Sequence, residues 1–249
     1  MADSPPPDVI LLRSADEPDP YLRAFAEAGL RAECRPVLRF AFPAEQPLRE
    51  RLRGRDQYAA LVATSPRAVR ALRRAFDAEP TLRRAWDGAR AYAVGPKTGG
   101  RLRALGFDVR GEEAGDAEAL VSIIVEDGPS APLLFLSGNR RRETLPDGLR
   151  AGEVPFEELV VYETHLRTSL SLPERSGTWL VFFSPSGLEA VRKGADRPLG
   201  AFRCAAIGPT TAEALREAGA TVEAVADQPA PEALVRAVTQ ASGDDAPDR

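Results

Sequence analysis

Residues 94–109 read VGPKTGGRLRALGFDV, and residues 207–222 read IGPTTAEALREAGATV. Aligned without a gap they share Gly95/Gly208, Pro96/Pro209, Thr98/Thr211, Leu102/Leu215, Arg103/Arg216, Gly106/Gly219 and Val109/Val222. Each stretch leaves an apolar residue, turns at Gly-Pro and continues with apolar residues at helical spacing, such as Leu102, Leu105, Leu215 and Ala218. Upstream, VATSPRAV at 62–69 echoes VFFSPSGLEAV at 181–191; downstream, GDAEALVSII at 115–124 echoes APEALVRAV at 230–238. βα elements resemble one another by chemistry alone, but the shared order of these blocks marks two copies of one unit. Earlier segments correspond more weakly. VILLRS (9–14), YLRAFAEAGL (21–30) and VLRF (37–40) match LLFLSG (133–138), ETLPDGLRAG (143–152) and ELVVYE (158–163). The copies therefore run over about 8–126 and 132–240.

Within each copy short runs rich in strand formers alternate with amphipathic stretches. YAALVA (58–63), AYAV (91–94), WLVFF (179–183) and FRCAAI (202–207) are such runs. Alternating βαβα predicts an α/β fold: two flavodoxin-like or Rossmann-like domains, each a parallel sheet flanked by helices with right-handed crossovers. SLSLPERSG at 169–177 reads as a linker, and the polar ends, 1–7 and about 242–249, read as disordered.

Composition narrows the function. The 249 residues are 43% hydrophobic but only 6% aromatic, so Leu, Val and Ala must carry the core. No apolar run approaches the ~18 residues of a membrane span, and the polar, Pro-rich start lacks a signal-peptide pattern, which places the chain in the cytoplasm. The net charge of −4 argues against nucleic acid as a partner. Cys34 and Cys204 are far apart and read as ordinary thiols, and His165 is the single histidine. A His-rich metal site is excluded, and neither a GxGxxG nor a Walker loop is present, so no metal and no nucleotide cofactor is expected. Lys97 and Lys193 are the only lysines among 33 basic residues. Codon usage accounts for most of that bias, although arginine is also the better fork for carboxylates and phosphates.

Four strand-to-helix turns share one device: Thr64-Ser65-Pro66, Val94-Gly95-Pro96, Phe183-Ser184-Pro185 and Ile207-Gly208-Pro209. Ser or Gly stands at the cap and Pro at the first helical position, leaving free N–H groups that attract anions. One such turn is only good capping. Four of them, at the carboxyl ends of strands, make a cleft for an anionic ligand. Gly138-Asn139 with Arg140, Arg141 and Arg142 follows a strand, as does Arg13, and these arginines could meet carboxylates. Glu118 reads as a helix-start residue, and Trp86 and Trp179 as packing. Tyr162 ends an apolar strand; a phenol carries a proton it can give, although a packed aromatic with a wet hydroxyl is the commoner case. His165, three residues on, reads as exposed.

AIGPTTAEAL (206–215), TVEAVADQPAPEALV (221–235), FFSPSGLEAV, TSPRAV, LLFLSGNRRRETLP and LVVYET together resemble the uroporphyrinogen-III synthase family over about 8–240, in family order. The resemblance implies a discontinuous domain of 1–35 plus 167–249, a second of 41–160, and a two-stranded linker at about 36–40 and 160–166. It implies a cyclising lyase without cofactors. Hydroxymethylbilane, a linear tetrapyrrole with eight carboxylates, loses its terminal hydroxyl and closes with ring D inverted, through attack at C16 and a spiro intermediate. Tyr162 matches the family's important tyrosine and would protonate the leaving hydroxyl. Ser65, Ser184, Ser186, Thr210 and Thr211 match positions around the cleft. With Thr64, Gly95, Gly138, Asn139, Arg140, Gly187, Gly208 and Arg13 they would hold the carboxylates. A monomer, with a transient contact to hydroxymethylbilane synthase, is the corresponding assembly. The alternative is a non-catalytic module of the same fold that binds a tetrapyrrole or another small anion for regulation.

Overall fold

Short Val-, Leu- and Ala-rich runs bounded by Pro, Gly and charge are too brief to bury themselves as helices, and in this protein they become the interior strands of two sheets. The structure is a computed structural model that describes residues 5–175 and 177–243. In chain order the elements are β1 (Val9–Leu11), α1 (Pro20–Glu27), β2 (Ala32–Cys34), β3 (Leu38–Ala41), α2 (Glu45–Arg53), β4 (Ala60–Ala63), α3 (Pro66–Ala78), α4 (Pro80–Ala85) and β5 (Arg90–Ala93). They continue with α5 (Pro96–Arg103), β6 (Asp108–Arg110), α6 (Ala117–Asp127), β7 (Leu133–Gly138), α7 (Thr144–Ala151) and β8 (Phe156–Leu166). The last are β9 (Trp179–Phe182), α8 (Pro185–Gly194), β10 (Arg203–Ala206), α9 (Pro209–Glu217), β11 (Ala224–Val225) and α10 (Pro231–Gly243).

The chain divides into one unit of Met1–Arg39 with His165–Arg249 and another of Phe40–Thr164. The first unit's sheet has the order β11-β10-β9-β1-β2, and the second's β3-β8-β7-β4-β5-β6. β1 pairs in parallel with β2 and β9, β9 with β10 and β10 with β11; likewise β4 with β5 and β7, β5 with β6 and β7 with β8. This is the α/β class with largely parallel, helix-flanked sheets that the alternation predicts.

The sequence repeats do not coincide with these units. The first copy leaves β1-α1-β2 in the first unit and contributes β4, β5 and β6 to the second. The second copy does the reverse with β7-α7-β8 and with β9, β10 and β11. The first unit's sheet consequently has the doubly wound order 2-1-3-4-5, while the second unit's strands β8-β7-β4-β5-β6 repeat that arrangement with β7 and β8 supplied by the later copy and β3 added at the edge.

Interior strands are covered on both faces, as parallel sheets require. Leu61 and Ala63 of β4 face one cluster with Leu48, Leu52, Leu72, Trp86 and Leu134, while Ala60 and Val62 face another with Leu120, Ile124 and Phe135. Trp86 is fully buried, and its indole N–H donates to the Leu52 carbonyl at 2.8 Å. In the first unit Ile10, Leu180, Phe182 and Leu188 line one face, and Val9, Leu11, Phe25 and Val181 the other.

Several expectations need correction. The described residues of 169–177 are irregular but do not form a linker free of the core. Leu170 and Leu172 are buried in the first unit's core, where they fill space beside Val191 and Phe202. Of the ends read as disordered, residues 1–4 and 244–249 lie outside the described residues. Pro5 and Pro7 accept hydrogen bonds from Arg31 and Thr178, and Ser242 lies in α10, where its hydroxyl accepts from Trp179. The cap of α6 is Asp116, which accepts from the Ala119 N–H at 2.9 Å, with Glu118 in the first turn. His165 is half-buried within β8, because that strand runs on to Leu166. No helix among the described residues is long and apolar enough to cross a membrane.

Candidate functional site

In the second unit the site grows from an irregularity in the pairing of β7 with β8. Ser137 stands opposite Val160, but Gly138 stands opposite Tyr162, so Val161 is an extra residue in the longer strand. The bulge re-aims Tyr162 across its neighbour. A Cβ on Gly138 would lie 2.3 Å from Cζ and 2.6 Å from the hydroxyl of Tyr162. Only glycine leaves room for the ring. Asn139 fixes the strand beyond: its backbone N–H donates to the Tyr162 carbonyl at 3.2 Å, and its side-chain oxygen accepts from the Thr164 N–H at 2.8 Å. The Tyr162 ring packs partly buried on the cluster of Leu61, Leu134 and Val161. Its hydroxyl has no hydrogen-bond partner among the described residues.

The carboxyl ends of β4 and β5 carry two of the four turns. Ser65 is extended and its hydroxyl accepts from the Arg67 N–H at 3.2 Å, a side-chain cap for α3, with Thr64 half-buried before it. The Arg67 guanidinium lies over Phe40, 4.0 Å from the ring centre. Gly95 sits at φ 79°, a conformation that favours glycine, and it turns the chain into α5. There the Thr98 N–H is the first to reach back, to the Gly95 carbonyl at 3.2 Å. The Lys97 N–H before it has no intrahelical acceptor.

The three arginines after Gly138 are not equivalent. Arg141 is paired with Glu143 and Glu158. Its guanidinium is the main reason the Glu158 carboxyl lies below the ordinary value despite partial burial. Arg140 is exposed and makes no ion pair among the described residues.

In the first unit the turns after β9 and β10 differ from the expected device. Ser184 is extended but caps nothing with its side chain; its hydroxyl instead bonds that of Ser186 at 2.7 Å. Gly187 is buried, and a Cβ there would meet Phe182 at 3.2 Å, so it serves the packing of α8 on the sheet. Gly208 is fully extended, with Ala212 the first N–H to bond its carbonyl, at 3.0 Å. The N–H groups of exposed Thr210 and buried Thr211 precede that bond and lie at the helix start without an intrahelical acceptor.

Arg13 stands just beyond β1, with its charge matched inside the unit. It donates to both carboxyl oxygens of Asp19 at 3.1 and 3.0 Å and to Asp16 at 2.6 Å, and it lies against the rings of Tyr21 and Phe183. Asp19 caps α1 by accepting from the Tyr21 and Leu22 N–H groups. Sequence reading overlooked it, although an aspartate directly before Pro20 is a helix-start signal. Burial pushes the Asp19 carboxyl up, but N–H donors from Asp16 and Leu22 and the Arg13 charge outweigh it, so its pKa lies below 3.8. A folded-state pKa depressed below the unfolded value means the unfolded chain binds more protons in that range. Stability from Asp19 is therefore full above 3.8 and lost as pH falls through the folded value. In urea titrations the Asp19→Asn variant should be less stable than wild type at neutral pH, with the gap closing below 3.8. A gap independent of pH would remove the ionised carboxylate from this account.

Both cysteines remain thiols: burial pushes Cys34 and Cys204 up to about 11.

The sequence profile of a family described as "Uroporphyrinogen-III synthase HemD" matches residues 19–236. A protein of Schizosaccharomyces pombe named uroporphyrinogen-III synthase is 30% identical over 246 residues, covering 92% of this chain and 95% of its own. One of the same name from Saccharomyces cerevisiae is 32% identical over 206 residues, covering 72% of this chain and 74% of its own. Among solved structures, uroporphyrinogen-III synthetase from Helicobacter pylori aligns with a TM-score of 0.62 at 21% identity, covering 94% of this chain and 99% of its own. A mutant synthase from Thermus thermophilus aligns with a TM-score of 0.53 at 17% identity, covering 95% and 99%. At those identities the two structures speak to the fold.

Proposed function

This chain belongs to the uroporphyrinogen-III synthase family, and from that membership we propose how its residues carry out the reaction. It is a cyclising lyase: hydroxymethylbilane closes to uroporphyrinogen III with ring D inverted and one water lost. Nothing observed favours a non-catalytic binding module of the same fold.

The chemistry has two demands. Hydroxide is a poor leaving group, so the terminal hydroxyl must be protonated as its C–O bond breaks. Its departure leaves a cationic azafulvene, which must be held so that attack occurs at C16. Tyr162 meets the first demand as general acid. The observation that carries this assignment is its setting: a bulge and a side-chain-free Gly138 hold the ring in place, while its hydroxyl has no hydrogen-bond partner among the described residues. Such assistance is worth about 10²–10⁴-fold.

The second demand is met by positioning and by charge. For the carboxylates of the substrate, Thr64, Ser65, Gly95 and Arg140 offer donors in one unit, and Ser184, Ser186, Gly208, Thr210 and Thr211 offer donors in the other. Backbone N–H groups at these helix starts do much of this work, and Gly187 lets α8 begin close to its sheet. Gly138 and Asn139 act through Tyr162 by fixing its place. Arg13 acts through Asp19 and the α1 cap.

Redundant anchoring predicts mild single effects at the serines. Ser186→Ala should keep kcat/KM within about tenfold of wild type, the worth of one ordinary hydrogen bond. A collapse of activity with unchanged thermal stability would show that this hydroxyl is essential.

The overall test generates hydroxymethylbilane in situ, oxidises the products and separates the type I and type III uroporphyrins. Type III product that depends on this protein is expected. Type I alone, at the rate of the blank and with folded protein, would overturn the synthase reading and favour a binding module.

A further inference from the structure

The second unit carries a basic groove away from Tyr162. Arg70, Arg73 and Arg74 of α3, Arg83 of α4 and Arg101 of α5 line a depression of about 860 Å³, opposed by one carboxylate, Asp77. The spacing 70, 73, 74 places the three α3 arginines on one helix face. Beneath the groove Val69 and Leu105 belong to the core, and Ala104 is exposed beside the arginines.

These guanidinium groups are incompletely matched within the protein. Arg74 is paired with Glu45, and Arg73 reaches Asp77 at 3.6 Å. Arg83 donates only to the neutral Ala104 carbonyl, at 3.1 Å, and Arg70 rests over the Phe42 ring. Arg101 has no hydrogen-bond or ion-pair partner among the described residues. Like charges gathered in one depression raise the local potential and draw anions to it.

Two of the helices that line the groove begin at turns of the candidate site. α3 starts at the Thr64-Ser65 turn and α5 at the Gly95 turn. At 1.5 Å per residue the lining arginines lie about 8–14 Å along those helices from the turns.

We propose that this groove is a secondary docking site for the carboxylate arms of an open-chain tetrapyrrole, which captures substrate and raises its rate of arrival at the turns. The identity of the ligand rests on the synthase reading. The number of guanidinium groups selects the class: the several carboxylates carried by one flexible chain can each meet a separate fork, Arg70, Arg73 and Arg101 among them.

The test uses the full chain and the variant Arg70→Gln/Arg73→Gln/Arg101→Gln, which spares the bonded Arg74 and Arg83 and keeps helix-forming side chains. A thermal melt confirms its fold. In the coupled assay at low ionic strength, kcat/KM should fall about tenfold, carried by KM, and its dependence on salt should flatten. The matching triple lysine variant should restore most of both. Unchanged kcat/KM and an unchanged salt slope in the glutamine variant would overturn the proposal and leave the synthase reading intact.

A second arm needs no turnover. Uroporphyrin, an octacarboxylate, is titrated against both proteins by fluorescence, with tripolyphosphate as competitor. Weaker uroporphyrin binding by the variant supports the groove even if wild type makes no type III product, which would sink only the synthase reading. Equal binding by the two proteins, or preferential displacement by tripolyphosphate, would overturn the groove's assignment to tetrapyrrole carboxylates.

Discussion

Tyr162→Phe should lower the rate of type III formation by about 10²–10⁴-fold, the usual worth of general acid assistance, and leave thermal stability unchanged. The reason for expecting so clean a separation lies in the hydroxyl's surroundings. It makes no hydrogen bond to the described protein, so its removal breaks no structural contact, and the ring that packs beside Val161 remains. Product composition gives a second readout. Hydroxymethylbilane closes spontaneously to the uninverted isomer, so as catalysis fails the type I share must rise. Near-wild-type turnover with a high type III fraction would remove Tyr162 from proton transfer altogether.

Gly138→Ala should be nearly as damaging, although Gly138 brings no functional group. Its new methyl would need to occupy a point 2.3 Å from the tyrosine Cζ, far inside van der Waals contact. Either the ring swings away or the end of β7 shifts, and the hydroxyl moves by an ångström or more in both cases. Misplacement on that scale costs about 10²-fold. The double variant Gly138→Ala/Tyr162→Phe separates this account from general disruption. If alanine acts by displacing the hydroxyl, the double variant should be no slower than Tyr162→Phe alone. Effects that multiply would mean Gly138 acts independently of the tyrosine.

Interior strands were legible because burial on both faces writes them as continuous apolar runs, as in Leu133–Gly138 and Trp179–Phe182. Three of the four edge strands were not. β2 (AEC), β6 (DVR) and β11 (AV) are short and mostly polar or small, and their outer sides lack a neighbouring strand. VLRF at 37–40 was consequently matched with the whole of ELVVYE. Pro36 interrupts the first copy between β2 and β3, while the second copy runs through without a break as β8. At the candidate site the residue types were visible and their relations were not. Nothing in LSGN or VVYE announces a register shift, and nothing beside Arg13 reveals that two aspartates neutralise it. The groove arginines are spread over three helices, where arginine abundance hides their convergence.

The exchange of βαβ segments between the repeats also sets an order of events during synthesis. Ala32–Cys34 and Val9–Leu11 emerge early, but the strand that flanks β1 on its other side begins only at Trp179. Ribosomes add about 5–20 residues per second, so β1 waits roughly 8–34 s for its neighbour. Val9, Ile10 and Leu11, all fully buried at the end, spend that interval without a sheet to bury them. In Phe40–Thr164 the wait is shorter, since every strand of its interior lies within one continuous stretch and β4 meets β7 once Leu133 has followed. A nascent chain stalled with Leu166 clear of the ribosome and Trp179 still inside it should therefore carry a protease-resistant second unit and a protease-sensitive leading segment.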